Sequence, residues 1–183
     1  MSSEGEDLPP VVWDLTTERL RLRRMTAADA DFYCQLLNDP DYIEQIADRG
    51  VRTPAEALEN LQSGQFESYR EHGFGLYVVE RLADRVPLGM AGLVSRSFLP
   101  EVDIGYGFLP IGRGQGYAQE AARAVVTHAK DELGLHRLAA ITSPGNEASI
   151  RLLLHLGFES VGTIVHPETD DICRYFELGL LAG

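Results

Sequence analysis

The chain has 183 residues, 44% of them hydrophobic, and a formal net charge of -12. That length fits one domain with a sizeable core, and the apolar content excludes disorder by composition. The negative balance excludes a broad nucleic-acid role, which needs a basic surface, and favours either cationic partners such as amines or simple solubility. The two cysteines, Cys34 and Cys173, form no Cys-x-x-Cys pair, so neither a redox motif nor a zinc knuckle is indicated. Isolated thiols fit a reducing compartment, so a cytoplasmic location is expected. The N-terminus is acidic without an apolar h-region, and no apolar run is long enough to span a bilayer, so no signal peptide and no membrane partner is predicted.

Residues 1 to about 16 read as a polar, proline-bearing tail, with one domain over 17–183. From Glu18 to Arg24, leucines alternate with arginines as in a half-buried strand. Thr26 and Asp29 resemble a capping box opening a helix to about Leu37, which Asn38-Asp39-Pro40 stops. Thr53-Pro54 opens a second helix, with Leu58 and Leu61 on its apolar face. Phe74 to Glu80 and Pro87 to Arg96 follow as strands around a hairpin at Ala83-Asp84-Arg85, and Glu101 to Phe108 as a third. A long helix is expected from about Gln115 to Leu133, with Ala118, Ala121, Ala122, Val125, Val126 and Ala129 at helical spacing. Leu138 to Thr142 reads as a strand and Asn146 to Leu156 as a helix that Gly157-Phe158 closes in a Schellman cap. Strands over Ser160 to Val165 and Arg174 to Leu180 complete a mixed α/β order that is not a regular βαβ series.

The most informative segment runs from Ile104 to Ala118, where a strand enters a turn with three glycines and a helix starts at once. A helix N-terminus offers unpaired N–H groups and a positive dipole end, and glycines admit a ligand close to the backbone, so a phosphate site follows. Gly107 and Gly112 have P-loop separation, but Arg113 and Gly114 stand where lysine and a magnesium-binding hydroxyl belong. The dinucleotide pattern fails as well, because Tyr117 occupies its third glycine position. The anion is therefore neither a magnesium-bound triphosphate nor a dinucleotide.

Arg113-x-x-Gly116-x-Ala118 resembles motif A of the GNAT superfamily of N-acetyltransferases. Glu101 to Tyr106 is similar to that family's fourth strand, and Asn146 to Ile150 with Leu156-Gly-Phe158 to its second cofactor-side helix. Thr17 to Arg23 resembles the opening of the RimJ/RimL subgroup of ribosomal-protein N-terminal acetyltransferases. The resemblance spans roughly 17–180 and implies a GNAT fold: a central, mostly antiparallel twisted sheet of about seven strands, the fourth and fifth splayed, with about four flanking helices.

The resemblance also implies a site for acetyl-CoA as co-substrate, without a metal. The pantetheine arm enters between the splayed strands against the backbone of Phe108 and Leu109. The pyrophosphate rests on the N–H groups of Arg113, Gly114, Gln115, Gly116, Tyr117 and Ala118. The Arg113 side chain either reaches a phosphate or is an ordinary surface arginine. Asn146 either bonds the pantetheine arm, caps its helix, or does both. Ser149 matches a position where a hydroxyl protonates the departing thiolate. Relatives often use a tyrosine further along this helix, but Leu152 to His155 contains none.

On the third strand, Asp103, Gly105 and Gly107 share a face, so a carboxylate stands beside an open trough. Asp103 takes the place of a glutamate in RimL-like relatives and is the expected base, directly or through water, with Glu101 the fallback. The segment from Asp39 to Val51 shapes the acceptor site in this superfamily; Asp41, Glu44 and Asp48 there either attract a cationic amine or form a solvated acidic loop. None of the five histidines has metal-ligand spacing. The expected reaction is direct acetylation of a primary amine, foremost a protein N-terminal α-amine, without a covalent enzyme intermediate. The alternatives are a small-molecule amine (amino acid, polyamine or antibiotic) and a non-catalytic acyl-CoA-binding module. An exposed last strand is expected to allow a homodimer.

Overall fold

A computed structural model describes residues 14–181. Strands β1 (Asp14–Thr16) and β2 (Leu20–Arg24) lead into four helices: α1 (Ala30–Leu37), α2 (Pro40–Gln45), α3 (Pro54–Ser63) and α4 (Gln65–His72). The strands β3 (Leu76–Arg81), β4 (Pro87–Val94) and β5 (Asp103–Phe108) follow. Then come α5 (Tyr117–Asp131), β6 (Arg137–Thr142), α6 (Glu147–His155), β7 (Glu159–Val165) and β8 (Ile172–Gly179). The eight strands form one sheet in the order β1-β2-β3-β4-β5-β6-β8-β7, antiparallel except where β5 meets β6.

The expected tail lies largely outside the described residues, and its last three residues instead pair with β2 as β1. That strand raises the sheet from the expected seven strands to eight. Two further helices appear because short polar punctuation divides what reads as loop or as one helix. Asp39 accepts the Tyr42 N–H at 3.2 Å and, with Pro40 in the first turn, starts α2. Gly64 separates α3 from α4. The last strand is not the edge: β8 lies between β6 and β7, and the edge at that end of the sheet belongs to β7. A homodimer through the last strand is therefore ruled out of that geometry, since β8 has both neighbours.

Each face of the sheet carries its own core. On one face, α5 lays Ala121, Ala122, Val125 and Ala129 against Leu20, Leu22, Tyr77, Leu93 and Ile104. The alanines let the helix approach closely, as their spacing anticipates. On the other, α1 and α3 pack Leu36, Leu37, Ala57 and Leu61 over Val78 and Met90. Successive β5 side chains point to opposite faces, so this strand has a foot in both cores. Helix α6 ends as expected: the Gly157 N–H bonds the Leu154 carbonyl at 3.1 Å, the Phe158 N–H bonds Leu153 at 3.0 Å, and Gly157 has φ 95°.

Candidate functional site

Strand β5 is fully paired on one side and almost unpaired on the other. Against β4 its register runs from Val94↔Asp103 to Gly89↔Phe108, whereas against β6 it has the single pair Asp103↔Ala139. The two strands separate from that point, so β5 and β6 are the splayed pair. Backbone groups alternate sides along an antiparallel strand. The Leu109 N–H bonds Leu88 in the β4 direction at 2.9 Å, and the Val102 carbonyl takes the Ala139 N–H at 2.9 Å in the β6 direction. Tyr106 and Phe108 therefore turn their peptide groups into the gap. Leu109 does not: its N–H is held by Leu88 and its carbonyl by the Gly112 N–H at 2.8 Å.

The glycine turn lies at the open end of this gap. A 3-10 turn over Pro110–Gly112 precedes it, and α5 starts at Tyr117. Gly114 (φ 73°) and Gly116 (φ 80°) are left-handed, a conformation that costs other residues roughly 1–2 kcal/mol. A Cβ on Gly114 would meet nothing within 4 Å, so conformation and open space, not packing, account for the glycine. The first N–H groups of α5 have no intrahelical acceptor and face the same opening. This fits a diphosphate held by main-chain donors. Arg19 adds a cation that the sequence does not point to. Its guanidinium donates to the Gln115 carbonyl at 2.9 Å, lies 4.4 Å from the Tyr117 ring centroid and pairs with Glu120 at 2.7 Å. Arg19 is 96 residues from Gln115 in the chain, so no local pattern signals it.

The Arg113 side chain turns away from the turn. It donates to the Phe108 carbonyl at 3.0 Å, to Asp41 at 2.6 Å and to Asp39. It thus fastens the start of α2 to the end of β5 and is not a free surface cation. At the other end of α2, the Ser143 hydroxyl beyond β6 donates to the Gln45 carbonyl at 3.1 Å. Helix α2 therefore bridges the mouth of the gap from β5 to β6.

Across the sheet, α6 opens as anticipated, with the Asn146 carbonyl oxygen accepting the Ser149 N–H at 3.2 Å. The Ser149 hydroxyl is 2.8 Å from the Tyr106 hydroxyl. A tyrosine hydroxyl does stand here, then, but it comes from β5 and not from α6. Burial pushes the Tyr106 phenol up to about 12, against a smaller pull downward from Ser149, so it holds its proton at neutral pH.

Asp103 faces the opposite side and is 1% exposed. Both of its oxygens accept from the Arg96 Nε at 3.2 Å. Burial pushes its carboxyl up to about 6, although Arg96 pulls it down. It is ionised at neutral pH yet basic enough to take a proton, a useful value for a general base. The trough expected along Gly105 and Gly107 is filled. A Cβ on Gly107 would come within 3.0 Å of the Tyr42 ring, and one on Gly105 within 3.2 Å of Leu76.

The open space lies beside that floor, a cavity of about 360 Å³ between the sheet and the first four helices. Tyr33, Tyr42, Arg49, Asn60, Gln65, Met90 and Arg96 are among its lining residues. The acidic residues expected to greet an amine do not line it. Asp41 is taken by Arg113, Asp48 by Arg52 at 2.7 Å, and Glu44 is exposed. Among the described residues, no group of three or more His, Cys, Asp or Glu side chains is arranged to hold a metal ion, and no helix is long and apolar enough to cross a membrane.

With this geometry in place, the comparisons with known proteins are specific. Residues 19–159 match the acetyltransferase (GNAT) domain family. A Bacillus subtilis relative, the uncharacterized protein YkkB, is 33% identical over 153 residues, covering 82% of this chain and 87% of its own. Two solved structures share the fold at low identity. The ribosomal-protein-S5-alanine acetyltransferase from Vibrio fischeri has a TM-score of 0.75 at 17% identity, covering 92% of this chain and 97% of that one. The spermidine N-acetyltransferase from Vibrio cholerae, in complex with CoA and spermine, has a TM-score of 0.75 at 16% identity, covering 90% and 97%.

Proposed function

The chain belongs to the GNAT acetyltransferase family, as an N-acetyltransferase dependent on acetyl-CoA, and from that premise we propose that its acceptor is a small primary amine seated in the cavity beside Asp103. One observation carries this reading: the cavity of about 360 Å³ is of small-molecule size and is lined by Arg96, whose Nε holds both oxygens of Asp103. Acetyl-CoA supplies an acetyl group activated as a thioester. The residues that would hold it are Gly114, Gln115, Gly116, Tyr117 and Ala118 through their N–H groups, Tyr106 through its peptide group and Phe108 through its N–H, both facing the gap, and Asn146 through its amide NH₂. Arg113 contributes its backbone and, through α2, the shape of the gap.

Asp103 takes the proton that the bound ammonium must lose, directly or through water, and its value of about 6 suits that role at neutral pH. The freed nitrogen forms the amide bond to the acetyl carbonyl carbon as the carbon–sulfur bond breaks. A backbone N–H of β5 facing the gap steadies the negative charge that develops on the carbonyl oxygen. The leaving thiolate takes a proton from the Ser149–Tyr106 hydroxyl pair, joined at 2.8 Å, and the second proton that the nitrogen sheds as it becomes an amide returns to that pair, so the pair ends the cycle protonated. No residue has to carry the acetyl group.

A second reading is transfer to a protein N-terminal α-amine in the manner of the RimJ/RimL-type enzymes. It is favoured by the fold shared with the Vibrio fischeri ribosomal-protein-S5-alanine acetyltransferase and by the β2 and β5 sequence motifs. Thiol release from acetyl-CoA, followed with a panel of small amines and of short peptides with free N-termini, separates the two. Turnover of small amines with kcat/KM well above that of every peptide supports the cavity; peptides as the better substrates overturn it. Binding of coenzyme A without turnover on either panel would leave only the non-catalytic module.

A further inference from the structure

The chain as a whole is acidic, with a net charge of -12, but the charged residues lining this cavity are two arginines, Arg49 and Arg96. Arg96 gives only its Nε to Asp103, which leaves its two terminal nitrogens for the cavity. Arg49 lines the cavity beside Tyr42 and has no ion pair among the described residues. The uncharged polar groups point the same way. The Gln65 carbonyl oxygen is occupied by the Leu76 N–H at 2.8 Å, and the Asn60 carbonyl oxygen by the Tyr33 hydroxyl at 2.9 Å. What each amide has left for a ligand is its NH₂ group, a donor. A cavity lined by donors beside two guanidinium groups, Arg96 half-buried and Arg49 at the exposed rim, repels a second ammonium group and receives an anion.

We infer that the acceptor carries a carboxylate of its own: a small amino acid or aminocarboxylate, with the carboxylate between Arg49 and Arg96 and the amine directed to the gap beside Asp103. The planar fork of a guanidinium matches a carboxylate oxygen for oxygen. The inference rests on the reading that this cavity is the acceptor site, and it sets the chain apart from enzymes whose acceptors are polyamines.

The test compares acceptors that differ at one end only. Thiol release from acetyl-CoA is measured with δ-aminovalerate, its amide and cadaverine, and with α-amino acids. The carboxylate acceptor is expected to have kcat/KM roughly tenfold to hundredfold above the amide and the diamine. Arg49→Gln should erase that advantage by raising KM while kcat holds. Arg49→Lys should restore part of it, and Arg49→Glu should turn the preference toward cadaverine. Equal rates for the three acceptors in the unaltered protein, or an advantage that survives Arg49→Gln, overturn the inference. Calorimetry with glutarate, which has no amine, distinguishes this failure from failure of the acetylation reading. If glutarate binds the unaltered protein but not Arg49→Gln, and no amine is acetylated, the anion site stands and the small-amine reading falls. If amines are acetylated indifferently and glutarate gives no heat, the reverse holds.

Discussion

The two faces of β5 are built from different materials. Toward the gap and the start of α5, the cradle proposed for the cofactor is mostly main chain: peptide groups of Tyr106 and Phe108, left-handed glycines at 114 and 116, and the open end of a helix. On the α1–α4 face, the cavity proposed for the acceptor is mostly side chain, drawn from α1, α2 and the loop after it, α3, α4, β3, β4 and the β4–β5 loop. A main-chain cradle depends on backbone conformation over a few consecutive residues and tolerates change in side chains. A side-chain cavity depends on which residues distant segments bring together. The same activated acetyl group can therefore be paired with different acceptors by altering one face alone.

Substitutions on the two faces should separate in what they disturb. The largest effect is expected for Asp103→Asn, which should lower kcat by about a hundredfold or more while coenzyme A affinity by calorimetry stays unchanged. In the unaltered enzyme, kcat/KM should fall as pH drops below about 6, where Asp103 takes up its proton. Unchanged turnover in Asp103→Asn would remove Asp103 from the chemistry.

The same substitution should alter stability with a definite sign. The folded carboxyl titrates at about 6, the unfolded one at about 4. Between those values the folded chain binds a proton that the unfolded chain releases, so stability is full below about pH 4 and lost as pH rises through 6. Relative to Asp103→Asn, the unaltered protein should lose on the order of 3 kcal/mol across that window. Urea midpoints for both proteins at pH 4 and pH 7 would show it; parallel curves would mean that burial does not penalise this charge.

Gly114→Val tests the other face. Forcing a β-branched residue to φ 73° should cost roughly 1–2 kcal/mol and distort the turn, weakening coenzyme A binding about tenfold. Glutarate binding in the acceptor cavity should not change. The smallest effect is expected for Arg113→Ala, which joins the two regions. If Arg113 anchors α2, acceptor KM rises a few-fold and stability drops by about 1–2 kcal/mol, with coenzyme A affinity intact. A selective loss of coenzyme A affinity would instead place that guanidinium at the phosphates.

Much of this contrast was already legible in the residue order. The Ile104 to Ala118 segment, the alanine stripe of α5, the Asn146 cap and the Gly157-Phe158 stop all formed as read. Each depends on contacts within a few residues, where glycine geometry, capping and helical spacing act directly. The Asp103 and Tyr106 alternation was equally local, but its consequences were not. Nothing near Tyr106 in sequence says that its hydroxyl meets Ser149, 43 residues on, and nothing near Gly107 says that Tyr42 fills its open side.

The amino-acid order alone, then, determined the strand-turn-helix proposed to carry the diphosphate, and with it the acetyltransferase family, because backbone conformation is set by near neighbours. Only the tertiary structure decided that the Arg113 guanidinium pairs with Asp39 and Asp41 at the start of α2, that β8 lies inside the sheet with β7 at its edge, and that a strongly acidic chain lines the cavity beneath its first four helices with arginines. Those outcomes depend on which remote side chains meet, and a pairing at contact distance outweighs the net charge of the whole, whose field salt screens within about 10 Å.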